Sequence, residues 1–257
     1  MTDFIRIEQA QRVTTITIAR PEKKNAITQA MYGAMANAVN AYARDDAARA
    51  LMFTGEGDYF TSGNDLQDFS MASRGGEAAN DEMPPVIRFL HAIKDCPKPM
   101  IAAVNGPAIG VGLTLTLHCD LVYAADSATF AAPFVKLGLV PEAASSLLLP
   151  QVIGMAAAND VFMTGRTLTS DEALRMGLIS RAFADADFAA EAHALALTVA
   201  NAAPDAMRHT KALLRTQSDI VTEVMATEGE IFAAQLRSPE FMESVAAMMQ
   251  KRPAVYG

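Results

Sequence analysis

One carboxylate, Glu142, stands directly after a proline in the run FVKLGLVPEAASSLLLPQ at 134–151. Leu137, Leu139 and Val140 precede it and Leu147 to Leu149 follow, a setting that would strip water from a carboxylate and make it a stronger base. Such a base suits proton transfer, and it needs a substrate whose C–H has been acidified. Two segments have residues for that task, SGND at 62–65 and NGPAIGVG at 105–112. In the second, Asn105-Gly106 marks a turn, and Gly110 with Gly112 lets backbone approach a ligand where a helix begins, leaving the Val111 N–H unpaired. In the first, the Gly63-Asn64 pair could expose the Asn64 N–H at the end of a loop. Two such donors converging on one oxygen would form an oxyanion hole, each contributing about 3–4 kcal/mol to an enolate-like transition state.

Each feature also has a plainer reading. The glycines suit close helix packing, and Asp65 suits capping of a following helical turn. An acid after Pro141 is what a helix dipole favours in a first turn, where it would depress the pKa. Other chemistry is less supported. His91, His118, His193 and His209 show no paired spacing, and Ser145 and Ser146 lack a nucleophile elbow. No Lys or Ser/Thr pattern makes 105–112 a phosphate loop. Cys96 and Cys119 lack metal or redox spacing and read as two buried thiols in a reducing compartment.

The elements that must hold these residues follow from hydrophobic periodicity. FIRIE at 4–8, VTTITIA at 13–19, ALMFT at 50–54 and MIAAV at 100–104 read as strands. Residues 28–43 put Met31, Met35, Val39 and Tyr42 on one helical face, with Thr28 as N-cap. A helix begins near Gly110, and LVYA at 121–124 with ATFAA at 128–132 looks like a strand pair. Residues 70–84 lack an apolar period and predict a mobile loop, so that a 70–90 segment and the C-terminal helices would shape a ligand pocket. From Thr169 the pattern turns helical: a capping box from Thr169 to Glu172 with a stop at Gly177, then helices over 187–201, 205–217, 219–236 and 239–250. The last two carry Met225, Phe232, Phe241, Met242, Met248 and Met249, more than one helix face needs.

With 257 residues, 51% hydrophobic and 19% charged, the chain can bury a core at the upper end of a single domain with a helical appendage. A net charge of −8 without a Lys/Arg block argues against nucleic acid, while Arg20, Lys23 and Lys24 could still hold a small phosphorylated ligand. The start of the sequence lacks a basic region followed by an apolar core, and no apolar run is long enough to span a bilayer. A soluble, cytoplasmic protein with no membrane partner is expected.

Taken together, RPEKKNAIT at 20–28, SGNDL at 62–66, AAVNGPAIGVGLTLTLHCDLVYA at 102–124, PFVKLGLVPEAASSLLLP at 133–150 and TGRTLTSDEALRMGLIS at 164–180 resemble the enoyl-CoA hydratase/isomerase (crotonase) superfamily over nearly the whole chain. The resemblance implies an α/β fold, a spiral of ββα units over 1–200, with a C-terminal helical oligomerisation region over 201–257. It implies acyl-CoA thioesters as ligands, a homotrimer or a dimer of trimers, and no metal or cofactor beyond the coenzyme A of the substrate. On this pattern the N–H groups of Asn64 and Val111 form the oxyanion hole, and Lys23, Lys24 and Ala26 line the CoA end. Ser62, Gly63, Asp65, Leu66, Gly110 and Phe134 contribute to substrate binding.

The hydratases of the family carry two glutamates, and Thr114 and Phe134 stand at those positions here. Phe134 cannot accept a proton and Thr114 is a poor base, so weak or absent hydration is expected. SGNDL together with PFxxLGxxPExxSS is similar to the monofunctional Δ3,Δ2-enoyl-CoA isomerases, whose catalytic glutamate falls on Glu142. The resemblance thus implies an isomerase of the fatty-acid β-oxidation type. Another crotonase reaction, hydration included, and a non-catalytic acyl-CoA-binding module remain as alternatives.

Overall fold

The computed structural model describes residues 2–65, 68 and 83–257. The early strands form where alternation placed them: β1 (Ile5–Ala10), β2 (Val13–Ile18), β3 (Ala50–Gly55) and β4 (Met100–Val104). With β6 (Leu121–Ala125) and β9 (Arg181–Phe183) they make a six-stranded sheet in the order β1-β2-β3-β4-β6-β9. β1 and β2 are an antiparallel pair and the remaining neighbours are parallel. Such a sheet is covered on both faces, which is why β3 and β4 read as unbroken apolar runs. Leu51, Phe53, Met100, Ala102 and Val104 face the larger core. Ala50, Met52, Ile101 and Ala103 face a second core on the other side.

That second core is closed by α7 (Phe188–Ala200), whose Phe188, Ala192, Ala196 and Ala200 recur every fourth residue as a buried stripe. The larger core receives α1 (Gln29–Arg44) and α2 (Pro85–Asp95). On α1 the expected stripe of Met31, Met35, Val39 and Tyr42 is buried, and the Thr28 side chain accepts from the Met31 N–H as the N-cap. Residues 85–90, expected in a pocket-shaping loop, instead open α2, an amphipathic helix with Pro85 in its first turn. Most of the expected mobile loop, 70–82, lies outside the described residues.

A second sheet of three short strands, β5 (Ala108–Ile109), β7 (Thr129–Ala131) and β8 (Thr167–Thr169), is the one that borders the candidate site. The two runs expected as a strand pair, 121–124 and 128–132, both form strands but separate into different sheets. β6 pairs with β4 and β9, and β7 with β5 and β8. Apolar period reports a strand without reporting its neighbour.

Between the sheets and the C-terminus lie α3 (Val111–His118), buried at all eight residues, then α4 (Ser145–Ile153), α5 (Met155–Thr164) and α6 (Ser170–Met176). The capping box of Thr169 and Glu172 and the left-handed Gly177 bound α6 as expected. The C-terminal third is helical: α8 (Pro204–Leu214), α9 (Ser218–Gln235) and α10 (Pro239–Met249). Phe232 of α9 and Phe241 of α10 join the larger core, so these helices pack on their own chain. Cys96 and Cys119 are free and buried. Among the described residues no helix is long and apolar enough to cross a membrane.

Candidate active site

Three stretches distant in sequence are laced together by backbone bonds. Ile27 forms a parallel bridge with Asn64, its N–H donating to the Gly63 carbonyl at 2.9 Å and its carbonyl accepting from the Asp65 N–H at 2.9 Å. Thr61 bridges Ala108, donating to the Pro107 carbonyl at 3.1 Å and accepting from the Ile109 N–H at 3.0 Å. Because Ile27 takes the groups flanking Asn64, the Asn64 N–H points to the opposite edge, where residues 108–111 run.

Two glycines permit this approach. Gly63 has φ +94° and any Cβ there would meet the Ile109 carbonyl oxygen at 3.0 Å. A Cβ on Gly112 would meet Thr61 Cγ2 at 2.7 Å, so the first turn of α3 lies against the 61–64 segment only because that side chain is missing. Val111 is the first residue of α3, and its N–H is one of the donors a helix start leaves unpaired. Among the described residues neither it nor the Asn64 N–H has a backbone acceptor.

One face of α3 then carries the rest of the site. Thr114, one turn below Val111, donates its hydroxyl to Glu142 Oε1 at 2.5 Å. His118, one turn further, sits 2.8 Å from the Ala143 carbonyl through Nε2. Burial drives the His118 pKa down to about 4, so its neutral ring donates to that carbonyl near pH 7. Tyr32 of α1, fully buried, donates to Asn64 Oδ1 and feels the Glu142 charge, which ties the two candidate segments together.

Glu142 itself precedes α4 and is not in its first turn. The helix dipole therefore does not decide its pKa. Burial raises it to about 7, opposed by the Thr114 hydroxyl and reinforced by the charge of Glu228. After it, Ala143 and Ala144 both adopt the left-handed conformation, at φ 59° and 56°. Each costs an L-residue about 1–2 kcal/mol, so outside contacts must hold the turn. Glu228 of α9 supplies them, accepting from the Ala144 N–H at 2.6 Å and the Ser146 N–H at 2.9 Å. The acid that caps α4 is thus remote in sequence, and α4 shows no capping residue of its own.

The remaining expected residues fall around this centre. Lys23 and Lys24 are exposed, with Lys24 Nζ 5.3 Å from the centroid of the Tyr59 ring. The Ala26 N–H donates to the Lys23 carbonyl and the Ser62 N–H to the Lys24 carbonyl. One Asp65 carboxylate oxygen accepts from the Asp68 N–H, and the other pairs with Arg20 at 2.7 Å. The Gly110 N–H donates to Ala131 at 2.8 Å. Phe134 is buried with its ring 6.4 Å from Phe162, while Leu137 and Val140 are partly buried beside the larger core. Leu66 lies outside the described residues.

Sequence reasoning missed four residues here. Asn25 is fully buried and joins the Arg20 N–H to the Glu56 and Tyr59 carbonyls, fixing the 20–28 loop. Tyr32 could have been suspected, since a buried tyrosine hydroxyl needs a partner. His118 stands four residues from Thr114, the spacing of one helix face. Glu228 is one of three glutamates on α9, with Glu223 and Glu230, and nothing local says which of them faces inward.

A family model described as enoyl-CoA hydratase/isomerase matches residues 8–257. The chain belongs to that family. Among its relatives, rat enoyl-CoA delta isomerase 2 is 39% identical over 94% of this chain. The chain spans 62% of that relative's length. A probable enoyl-CoA hydratase of Rhodobacter capsulatus is 36% identical, covering 97% of this chain and 96% of its own. The solved enoyl-CoA hydratase/isomerase of Pseudoalteromonas atlantica T6c superposes with a TM-score of 0.93 at 47% identity, over 99% of this chain and 100% of its own. The fold is thus the crotonase fold.

Proposed function

We propose that this enzyme converts 3-enoyl-CoA to 2-enoyl-CoA thioesters with Glu142 as its one acid–base group. The observation that carries the reading is a carboxylate of pKa about 7 bonded to the Thr114 hydroxyl, on the helix that opens with the Val111 N–H and linked through Tyr32 to Asn64, two donors without a backbone acceptor among the described residues. The thioester oxygen accepts from the Asn64 and Val111 N–H groups, which stabilise the charge developing on it. The Glu142 carboxylate removes a C2 proton, giving a dienolate, and the carboxyl returns the proton to C4. A pKa near neutrality suits a group that must both take and give a proton.

Phe134, Leu137 and Val140 form an apolar wall that keeps water from competing. Lys23 and Lys24, exposed on the 20–28 loop, would meet the CoA phosphates, and Ala26, Ser62, Gly63, Asp65 and Gly110 would line the thioester end, with Leu66 assigned there by the family pattern alone. No cofactor is required beyond the CoA of the substrate. Hydration needs a second carboxylate to position water, and Thr114 and Phe134 offer none.

The test is turnover of trans-3-enoyl-CoA and trans-2-enoyl-CoA of several chain lengths by the parent enzyme and Glu142→Gln, with products resolved by mass. Conversion without mass change, reduced about 10²–10⁴-fold in the variant while acyl-CoA still binds, is expected. Gain of water would assign a hydratase, and binding without turnover a non-catalytic module.

We further propose assembly as a homotrimer or dimer of trimers through the 201–257 region. Met242 and Met249 of α10 are 56% and 75% exposed, beyond what the intramolecular core uses.

A further inference from the structure

The loop that presents Glu142 is gripped by one face of α9 at both ends. Glu228 accepts from the Ala144 and Ser146 N–H groups at 2.6 and 2.9 Å. Gln235, two turns along the same face, donates its amide to the Gly138 carbonyl at 3.1 Å. Phe232, one turn from Glu228, is buried in the core between them. From α3, Thr114 and His118 hold Glu142 and the Ala143 carbonyl. Without those contacts the two left-handed alanines would relax to an ordinary conformation and carry Glu142 with them, since an L-residue rarely stays there unaided.

The geometry points to Glu228, far along the chain in the C-terminal helical region, as a positioning residue that sets where Glu142 stands in proton transfer. This rests on the isomerase reading above. Glu228 touches neither substrate oxygen nor reacting carbon; it acts by clamping the turn that follows the base. Its charge also faces Glu142, as does the buried Tyr32 hydroxyl from α1, while the neutral His118 ring from α3 meets the next residue's carbonyl at Ala143. One side chain therefore governs both the place of the base and its proton affinity.

Glu228→Gln and Glu228→Asp separate these roles, with Glu230→Gln on the solvent side of α9 as the charge control and Glu142→Gln alongside. The glutamine variant keeps one acceptor and loses the charge. It should lower kcat at pH 8 about tenfold or more with KM for the acyl-CoA little changed, and should move the acid limb of kcat/KM down by about 0.3–1 pH unit. The aspartate variant keeps the charge but not the reach, so kcat should fall while the limb stays in place. Glu230→Gln should match the parent. Parent-like kcat and acid limb in Glu228→Gln would overturn the inference. So would a loss that merely tracks acyl-CoA binding and folded fraction, as a structural role would give. If the glutamine variant does not fold, parent-like kcat in Glu228→Asp overturns it alone. An active Glu142→Gln would instead overturn the isomerase reading, so the two failures are distinct.

Discussion

Glu142 shows how one side chain can be legible in sequence while its behaviour is not. The surrounding leucines and Pro141 announced a desolvated acid, but two opposing effects on its pKa were equally readable, burial and a helix dipole. The structure removes the dipole by starting α4 at Ser145 and leaves burial in control. The folded pKa of about 7 lies above the ordinary 4.5, so the fold favours the protonated form. Stability linked to this group is therefore greatest below pH 4.5 and falls as pH rises toward 7. Glu142→Gln should melt higher than the parent at pH 8, by about 1–3 kcal/mol, and equally below pH 4.5, as calorimetry at both pH values will show. Activity runs the other way: kcat/KM should drop about tenfold per unit below pH 7, because the base must be ionised. Thr114→Val deletes the hydroxyl that stabilises the carboxylate and should shift that limb upward by about 0.5–1 unit. An unmoved limb in Thr114→Val would show that the hydroxyl does not set the basicity.

The helix α3 gathers more of the site than its length suggests. Val111, Thr114 and His118 lie on one face, so a single rigid element places a donor without a backbone acceptor among the described residues, the hydroxyl bonded to Glu142 and the anchor of the following turn. Its apolar composition announced a buried helix, but a helix buried all round gives no indication of which face holds the polar work. Position depends on Gly112 touching Thr61. Gly112→Ala should push the Val111 N–H away from Asn64 and lower kcat about 100-fold, with roughly 1–3 kcal/mol lost in stability. Parallel denaturant melts and kinetics check this, since a stability loss without a kcat loss would free the donor from that contact. The strands β6 and β7 teach the same lesson. Each was evident from its residues, yet which sheet each joins depends on partners contributed by β4 and β8.

Across the whole chain, the C-terminal helices divide their side chains between two directions. Phe232, Phe241 and Glu228 turn inward to the core and the site loop, while Met242, Met248 and Met249 remain outward. A surplus of flexible apolar side chains on one surface is what a subunit contact uses. Light scattering should give a mass three or six times that of the chain, and Met242→Glu with Met249→Glu should reduce it to a single chain that remains folded. An unaltered mass in the double variant would place the contact elsewhere.

Residue type and spacing alone carried β1 to β4, β6 and β7, the α1 stripe and the α6 capping box, because each is written in neighbours a few positions apart, and they marked the donor segments and the acid as candidates. The family motifs added order and spacing over most of the chain. What the folded chain decided is what distant residues do to one another: Tyr32 on Asn64, Thr114 and His118 on the Glu142 turn, and Glu228 as the cap of α4. A hydrogen bond between residues 84 positions apart leaves no local trace in either segment, since each side chain meets its partner only once packing has closed the distance.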